Sequence, residues 1–173
     1  MSNIDEWRRV RAITTRNDFV ALHPHVFLVS APERGTAEFT PLTKPTEFRK
    51  VTHKQELPPL PKRGPEQHLT EKPLILPLRK QDGNPFPERI SIGRATNCDV
   101  VIRDPSVSKL HGHFRDVGPE SAFFTDAKSA NGTRVDGVSI KPGEAVELHR
   151  NALLSFGRVQ LMLISAADAY DWL

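Results

Sequence analysis

Cysteine is nearly absent from the 173-residue chain: Cys98 stands alone. One thiol excludes a disulfide scaffold and any cysteine-rich zinc module, and it suits a reducing compartment. Long hydrophobic runs are also missing. Val26 to Val29 and Leu161 to Ile164 are four residues each, far short of the roughly 20 that a membrane-spanning helix needs. The opening Met1-Ser2-Asn3-Ile4-Asp5-Glu6 is too polar for a secretion signal. These absences predict a soluble, cytoplasmic protein with no membrane partner. A large charge of one sign is lacking too, since 24 Lys+Arg face 21 Asp+Glu for a net +3. Residues 1–72 carry all of that excess, with 12 basic and 9 acidic side chains, whereas residues 73–173 hold 12 of each. Phosphate-backbone affinity requires several clustered cations, so the neutral back half predicts no nucleic-acid partner. Arg8, Arg9, Arg11 and Arg16 do cluster, but Asp5, Glu6 and Asp18 flank them and aromatics for base stacking are only 7% of the chain. Enzyme signatures are missing as well: no Gly-x-Ser-x-Gly elbow, no phosphate loop of the P-loop type, no paired His/Cys spacing. His111-Gly112-His113 and His23-Pro24-His25 come without further ligands. The expectation is a protein that is no enzyme and needs neither cofactor nor metal.

What is present is a hydrophobic content of 38% beside 26% charged residues, enough to build a core. Residues 1–40 read as a partly ordered arm. Asn17 to Leu22 predicts one or two helical turns capped by Asn17 and stopped before Pro24, and Val26 to Val29 predicts a short strand. Neither piece can fold alone, so the arm must either dock or stay mobile. Residues 41–73 contain seven of the fifteen prolines, including Pro58-Pro59-Leu60-Pro61. Proline fixes an extended chain and removes donors, which reads as a semi-rigid linker. From residue 74 to 165, short apolar or alternating runs recur between Asp82-Gly83-Asn84-Pro85, Asp104-Pro105, Asn131-Gly132, Asp136-Gly137 and Lys141-Pro142-Gly143. A strand-plus-turn unit of about ten residues predicts an all-β sandwich of two antiparallel sheets. The last residues, 166–173, predict a short C-terminal helix or tail over an edge of that sandwich.

The unusual residues sit in the breaks. Gly93-Arg94 follows the apolar run Arg89 to Ile92; Ser108-Lys109-Leu110-His111 and Ser129-Ala130-Asn131-Gly132-Thr133 come later. Loops held on a rigid sandwich are where binding residues are expected. An arginine fork, a lysine, a serine hydroxyl and backbone donors are what a phosphate ester recruits. In order and spacing, Ile92-Gly93-Arg94, Asn97-Cys98-Asp99-Val100, Ser108-Lys109-Leu110-His111 and Asp126 with Ser129 to Thr133 resemble the forkhead-associated (FHA) domain. Leu153-Leu154-Ser155-Phe156-Gly157 is similar to that family's late strand and glycine. The resemblance covers residues 74–165.

It implies an FHA-like sandwich and a phosphopeptide site. Arg94 would grip the phosphate, Ser108 would hold it through hydroxyl and amide, Lys109 would reach the ligand, and Asn131 would bond the peptide backbone. Gly93, His111, Gly132 and Thr133 would shape the loops, with His111 an internal strut. Ala130 departs from the family, which often has threonine or arginine there. The implied role is a non-catalytic adaptor in Ser/Thr-kinase signalling. Its partner would be a threonine-phosphorylated protein, either a kinase or a kinase substrate. The alternative is a degenerate FHA sandwich making phosphate-independent contacts. An intramolecular variant has a phosphorylated arm threonine in the chain's own site, for which Thr15-Arg16-Asn17-Asp18 carries an acid three residues after the threonine.

Overall fold

A computed structural model describes residues 4–23, 26–30 and 74–173. The proposed linker, residues 41–73, lies outside the described residues. In chain order the described elements are helices α1 (Ile4–Ile13) and α2 (Arg16–Leu22), then strands β1 (Phe27–Ser30), β2 (Ile75–Pro77), β3 (Ile90–Gly93) and β4 (Val100–Val101). Strands β5 (Gly112–Arg115), β6 (Ser121–Asp126), β7 (Thr133–Val135), β8 (Val138–Ser139), β9 (Ala145–His149), β10 (Leu153–Phe156) and β11 (Val159–Ile164) follow, and helix α3 (Ala166–Trp172) comes last.

Alternation makes the sandwich. Side chains two apart on a strand share a face, so Leu154 and Phe156 of β10 and Leu161 and Leu163 of β11 point one way. They meet Ile92, Phe114, Phe124 and Leu148 from the other sheet in one buried cluster. Phe124 and Phe156 pack edge to face with ring centroids 5.5 Å apart. One sheet has six strands in the order β2-β1-β11-β10-β7-β8, the other five in the order β4-β3-β5-β6-β9. The architecture is the all-β, two-sheet sandwich that the strand spacing predicts. One pair departs from the antiparallel expectation: β3 and β4 run parallel, with Ile92 opposite Val100. The buried Asp99 carboxylate draws the returning chain back to β3, accepting from the Ser91 amide at 2.7 Å and the Gln81 amide at 2.8 Å.

The arm's strand β1 lies inside the six-stranded sheet, between β2 and β11, with Leu28 opposite both Leu76 and Leu163. Leu28 faces the sandwich core, whereas Phe27 and Val29 face the other way and are still fully buried. Their cover is a helical layer: Ile4 of α1, Phe19 of α2, Ala166 and Ala169 of α3, and Leu173 at the C-cap of α3. A strand buried on both faces reads as a continuous apolar run, which is the texture of Val26 to Val29. Helix α3 thus covers a face of the sheet and not an edge. Its N-cap is Ser165, whose hydroxyl and the Asp168 carboxylate form a reciprocal capping box. Asp168 also takes the Arg150 Nε at 2.7 Å. Burial pushes the Asp168 carboxyl up, but the hydrogen bonds from Arg150 and Ser165 outweigh it and hold the group below the usual carboxylate range.

Helix α2 begins earlier than the sequence predicts, and its cap is Thr15 rather than Asn17. Thr15 has extended backbone (φ −74°, ψ 162°), and its hydroxyl accepts from the Asp18 amide. A cap bonds the amide two or three residues on, and Thr15 to Asp18 fits that spacing. Helix α1 was not expected from the sequence. Its apolar positions Ile4, Trp7 and Val10 recur on one face but are separated by Arg8 and Arg9.

Candidate functional site

Strand β3 ends at Gly93, whose backbone lies against the Ser108–Leu110 segment. A Cβ built there would stand 2.2 Å from the Lys109 carbonyl oxygen, so only glycine permits the approach. The resulting contact is a short ladder: the Arg94 amide donates to the Ser108 carbonyl at 2.9 Å and the Ala95 amide to the Lys109 carbonyl at 3.0 Å. It brings Arg94, Ser108 and Lys109 onto adjoining backbone. The Arg94 Nε donates to the Val107 carbonyl at 3.2 Å, which steadies the stem of an otherwise exposed guanidinium. Lys109 is exposed, and its ammonium has no partner among the described residues.

A second loop, between β6 and β7, is tied to the first through buried groups. His111 is fully buried; its Nδ1 accepts from the Ser108 amide at 3.2 Å and its Nε2 lies 3.3 Å from the Gly132 carbonyl. With Nδ1 accepting, the proton sits on Nε2 and donates to Gly132. Burial lowers the imidazole pKa, against the opposing pull of Asp126 and the Gly132 carbonyl, so the ring is a neutral strut. Asp126, also fully buried, accepts from the Ser129 amide at 2.8 Å and from the Ser129 and Thr133 hydroxyls at 2.6 Å each. Burial raises the Asp126 pKa; those hydrogen bonds, with His111 nearby, outweigh it and hold the carboxylate ionised. Gly132 has a φ of +70°, the left-handed region that lets the loop turn into β7.

The loops also meet at their tips. The Ala130 amide donates to the Ser108 hydroxyl oxygen at 2.9 Å, leaving the hydroxyl hydrogen available to a ligand. The Asn131 side-chain amide donates to the Ser106 carbonyl at 2.8 Å, leaving its carbonyl oxygen to accept. Ser106 is in turn fixed by Asp104, whose carboxylate also holds Arg158 at 3.0 Å. The hydrogen bond from Arg158 is the main reason that the Asp104 carboxyl is held down at about 2.

The structure therefore brings Arg94, Ser108, Lys109 and Asn131 to one loop cluster, with Gly93, His111, Gly132 and Thr133 beneath them. Thr133 is buried, its hydroxyl spent on Asp126. Asp104, Ser106 and Arg158 belong to the same cluster, although sequence reasoning gave them no part in it. Asp104-Pro105 carried only a turn signal, and the link to Arg158 spans 54 positions. Among the described residues no group of three or more His, Cys, Asp or Glu could hold a metal ion, and no helix is long and apolar enough to cross a membrane.

Residues 90–157 match the sequence model of the FHA domain. An FHA domain-containing protein of Arabidopsis thaliana, PS1, is 30% identical over 95 residues, which is 52% of this chain and 6% of that protein. The match thus spans only a small part of that relative's length. Among solved structures, Mycobacterium tuberculosis EmbR in complex with a low-affinity phosphopeptide is 23% identical, with a TM-score of 0.43 over 53% of this chain and 22% of its own. The FHA domain of Chlamydia trachomatis CT664 is 24% identical, with a TM-score of 0.41 over 44% of this chain and 76% of its own. Family match and the ordered loop residues Gly93-Arg94, Ser108 to His111 and Asn131 to Thr133 agree: residues 90–157 of the sandwich are similar to the forkhead-associated domain.

Proposed function

We propose that the loop end of the sandwich binds a phosphothreonine-containing segment of a partner protein and does no chemistry on it. The observation that carries this reading is the convergence of exposed Arg94, exposed Lys109 and the Ser108 hydroxyl on loops locked by buried His111 and Asp126. A phosphate ester at neutral pH bears about −1.5 to −2 charges. Arg94 and Lys109 supply charge-assisted donors, and the Ser108 hydroxyl adds a neutral one. Asn131 accepts from, or donates to, the peptide backbone beside the mark. An unphosphorylated threonine offers the two cations nothing, so the pocket responds to a Ser/Thr kinase upstream. The buried free thiol of Cys98 suits a reducing cytoplasm for such an adaptor.

The test is calorimetric titration of the whole chain with a phosphothreonine peptide selected from an oriented library, beside its unphosphorylated twin. The phosphorylated form should bind and the twin should not. Each charge-assisted hydrogen bond contributes about 1.5–3 kcal/mol, so Arg94→Ala should lower affinity at least tenfold while its thermal melt matches the parent. Binding that survives phosphatase treatment would favour phosphate-independent contacts, the reading that Ala130 motivates by removing a side-chain donor.

A further inference from the structure

At the tip of the loop between β6 and β7 an asparagine precedes a glycine, and no other asparagine in the chain does so. Asn131 is exposed. Its side-chain nitrogen is held by the Ser106 carbonyl at 2.8 Å, whereas its side-chain oxygen accepts no hydrogen bond from any described residue. The Gly132 amide likewise has no acceptor among the described residues, although the Gly132 carbonyl is engaged by His111. A Cβ built on Gly132 would meet nothing within 4 Å, so the space around this peptide unit is open. The other described asparagines are followed by nitrogens that are already committed. Asn17 precedes the Asp18 amide, which donates to the Thr15 hydroxyl at 3.2 Å. Asn97 precedes the Cys98 amide and Asn151 the Ala152 amide, and each of these donates to a carbonyl at 3.1 Å. Asn84 precedes Pro85, which has no amide hydrogen. Only at Asn131 does a free amide follow a side-chain carboxamide.

We infer that the Asn131–Gly132 unit is a site of non-enzymatic deamidation, and that reaction there shuts the phosphothreonine site. The Gly132 nitrogen gives its proton to hydroxide and attacks the Asn131 Cγ. The new N–Cγ bond closes a cyclic imide while the bond from Cγ to the side-chain nitrogen breaks, and that nitrogen takes a proton from water and leaves as ammonia. Water then opens the imide to aspartate or isoaspartate, so no oxidant or cofactor enters. The product disturbs the loops in two ways. A carboxylate oxygen would face the Ser106 carbonyl that the amide now satisfies, and it would set a negative charge beside a bound phosphate. Isoaspartate would also lengthen the backbone just before Gly132, whose carbonyl is the partner of the buried His111. The consequence for binding rests on the phosphothreonine reading above; the chemistry does not. A bound peptide that engages the Asn131 side chain should protect it, so the site would lapse with age when left empty.

The experiment incubates the folded whole chain in warm, mildly alkaline buffer, alone and with a saturating phosphothreonine peptide, and maps its asparagines by mass spectrometry. Asn131 should convert from amide to acid ahead of Asn17, Asn84, Asn97 and Asn151. Conversion should slow at mildly acidic pH, where hydroxide is scarce, and slow again under the peptide. The converted fraction, separated on an ion-exchange column by its added negative charge, should bind the phosphothreonine peptide about tenfold more weakly or worse. Asn131→Asp should reproduce that loss, and cooperative thermal melts of both forms would show that the sandwich remains folded. Conversion at Asn131 no faster than at the other asparagines overturns the inference. A converted fraction that binds as tightly as the fresh chain overturns its consequence for the site. If the fresh chain binds no phosphothreonine peptide, the underlying reading falls and the consequence with it, while the mass map still decides the chemistry.

Discussion

His111 exposes no surface, yet its two ring nitrogens connect Ser108 to Gly132 and so join the loops that carry the proposed phosphate and peptide contacts. Protonating Nδ1 would remove its acceptor and leave the Ser108 amide facing a donor. Burial lowers the pKa of His111 in the fold, and burial lowers those of His23 and His113 too, with Arg79 and Arg89 adding to the effect. A folded-state pKa below the unfolded value means that the unfolded chain binds more protons across that interval. Stability should therefore fall as the pH drops below about 6.5, the unperturbed histidine value. The carboxylates held low, Asp99, Asp104, Asp126 and Asp168, act in the same sense but only on descent through the acid range below about 4. Thermal melts between pH 7.5 and 5 should show the first loss, and His111→Gln should flatten that slope. An unchanged slope in the variant would show that His23 and His113 carry it. At this scale the sequence displayed the chemistry of the cluster, because Arg94, Ser108, Lys109 and Asn131 are types that suit a phosphate and a peptide. It gave no sign that the Asp104 carboxylate neutralises Arg158, since that depends on which distant arginine the loop meets.

Strand β1 is an element whose identity was legible and whose position was not. Four apolar residues in a row predict a strand; nothing local says that it pairs with β2 and β11 on either side. Phe27 and Val29 face the helices, Leu28 the sandwich core, and all three are fully buried. Removing residues 1–30 would open the sheet between β2 and β11 and uncover both clusters, so a fragment beginning at residue 70 should lose the cooperative melt of the whole chain. The milder test is Phe27→Ala. A buried phenylalanine lost to alanine costs about 3–5 kcal/mol, which should lower the melting temperature by roughly 10 °C or more for a domain of this size. A melt within a degree or two of the parent would mean that the helical layer is not coupled to the sheet. The helices themselves were only partly visible. Caps are a matter of one hydroxyl and one amide, and both Thr15 and Asn17 offer a plausible oxygen; the extended backbone at Thr15 decides between them.

For the whole molecule, the small net charge of +3 conceals an uneven distribution. Residues 73–173 hold equal numbers of acidic and basic side chains, yet many of the acids are spent internally. Asp99 and Asp126 serve loop amides and hydroxyls, Asp104 serves Arg158, and Asp168 serves Arg150. The cations at the loop end that lack such partners, Lys109 and Arg134 together with the largely unengaged guanidinium of Arg94, then give a neutral domain one positive end. Such an end suits a single phosphate, where a polyanion would need a broader field. By itself the sequence determined the strand period, the turn positions and the residue types in the loops, because each depends on neighbours a few positions apart. Tertiary structure alone decided the parallel β3–β4 pair, the inclusion of the arm's strand in the sheet and the pairing of Asp104 with Arg158. The β1 pairing and the Asp104–Arg158 contact close across tens to more than a hundred positions. The β3–β4 pair, though near in sequence, depends on the buried Asp99 carboxylate meeting the Ser91 and Gln81 amides; no local spacing records that.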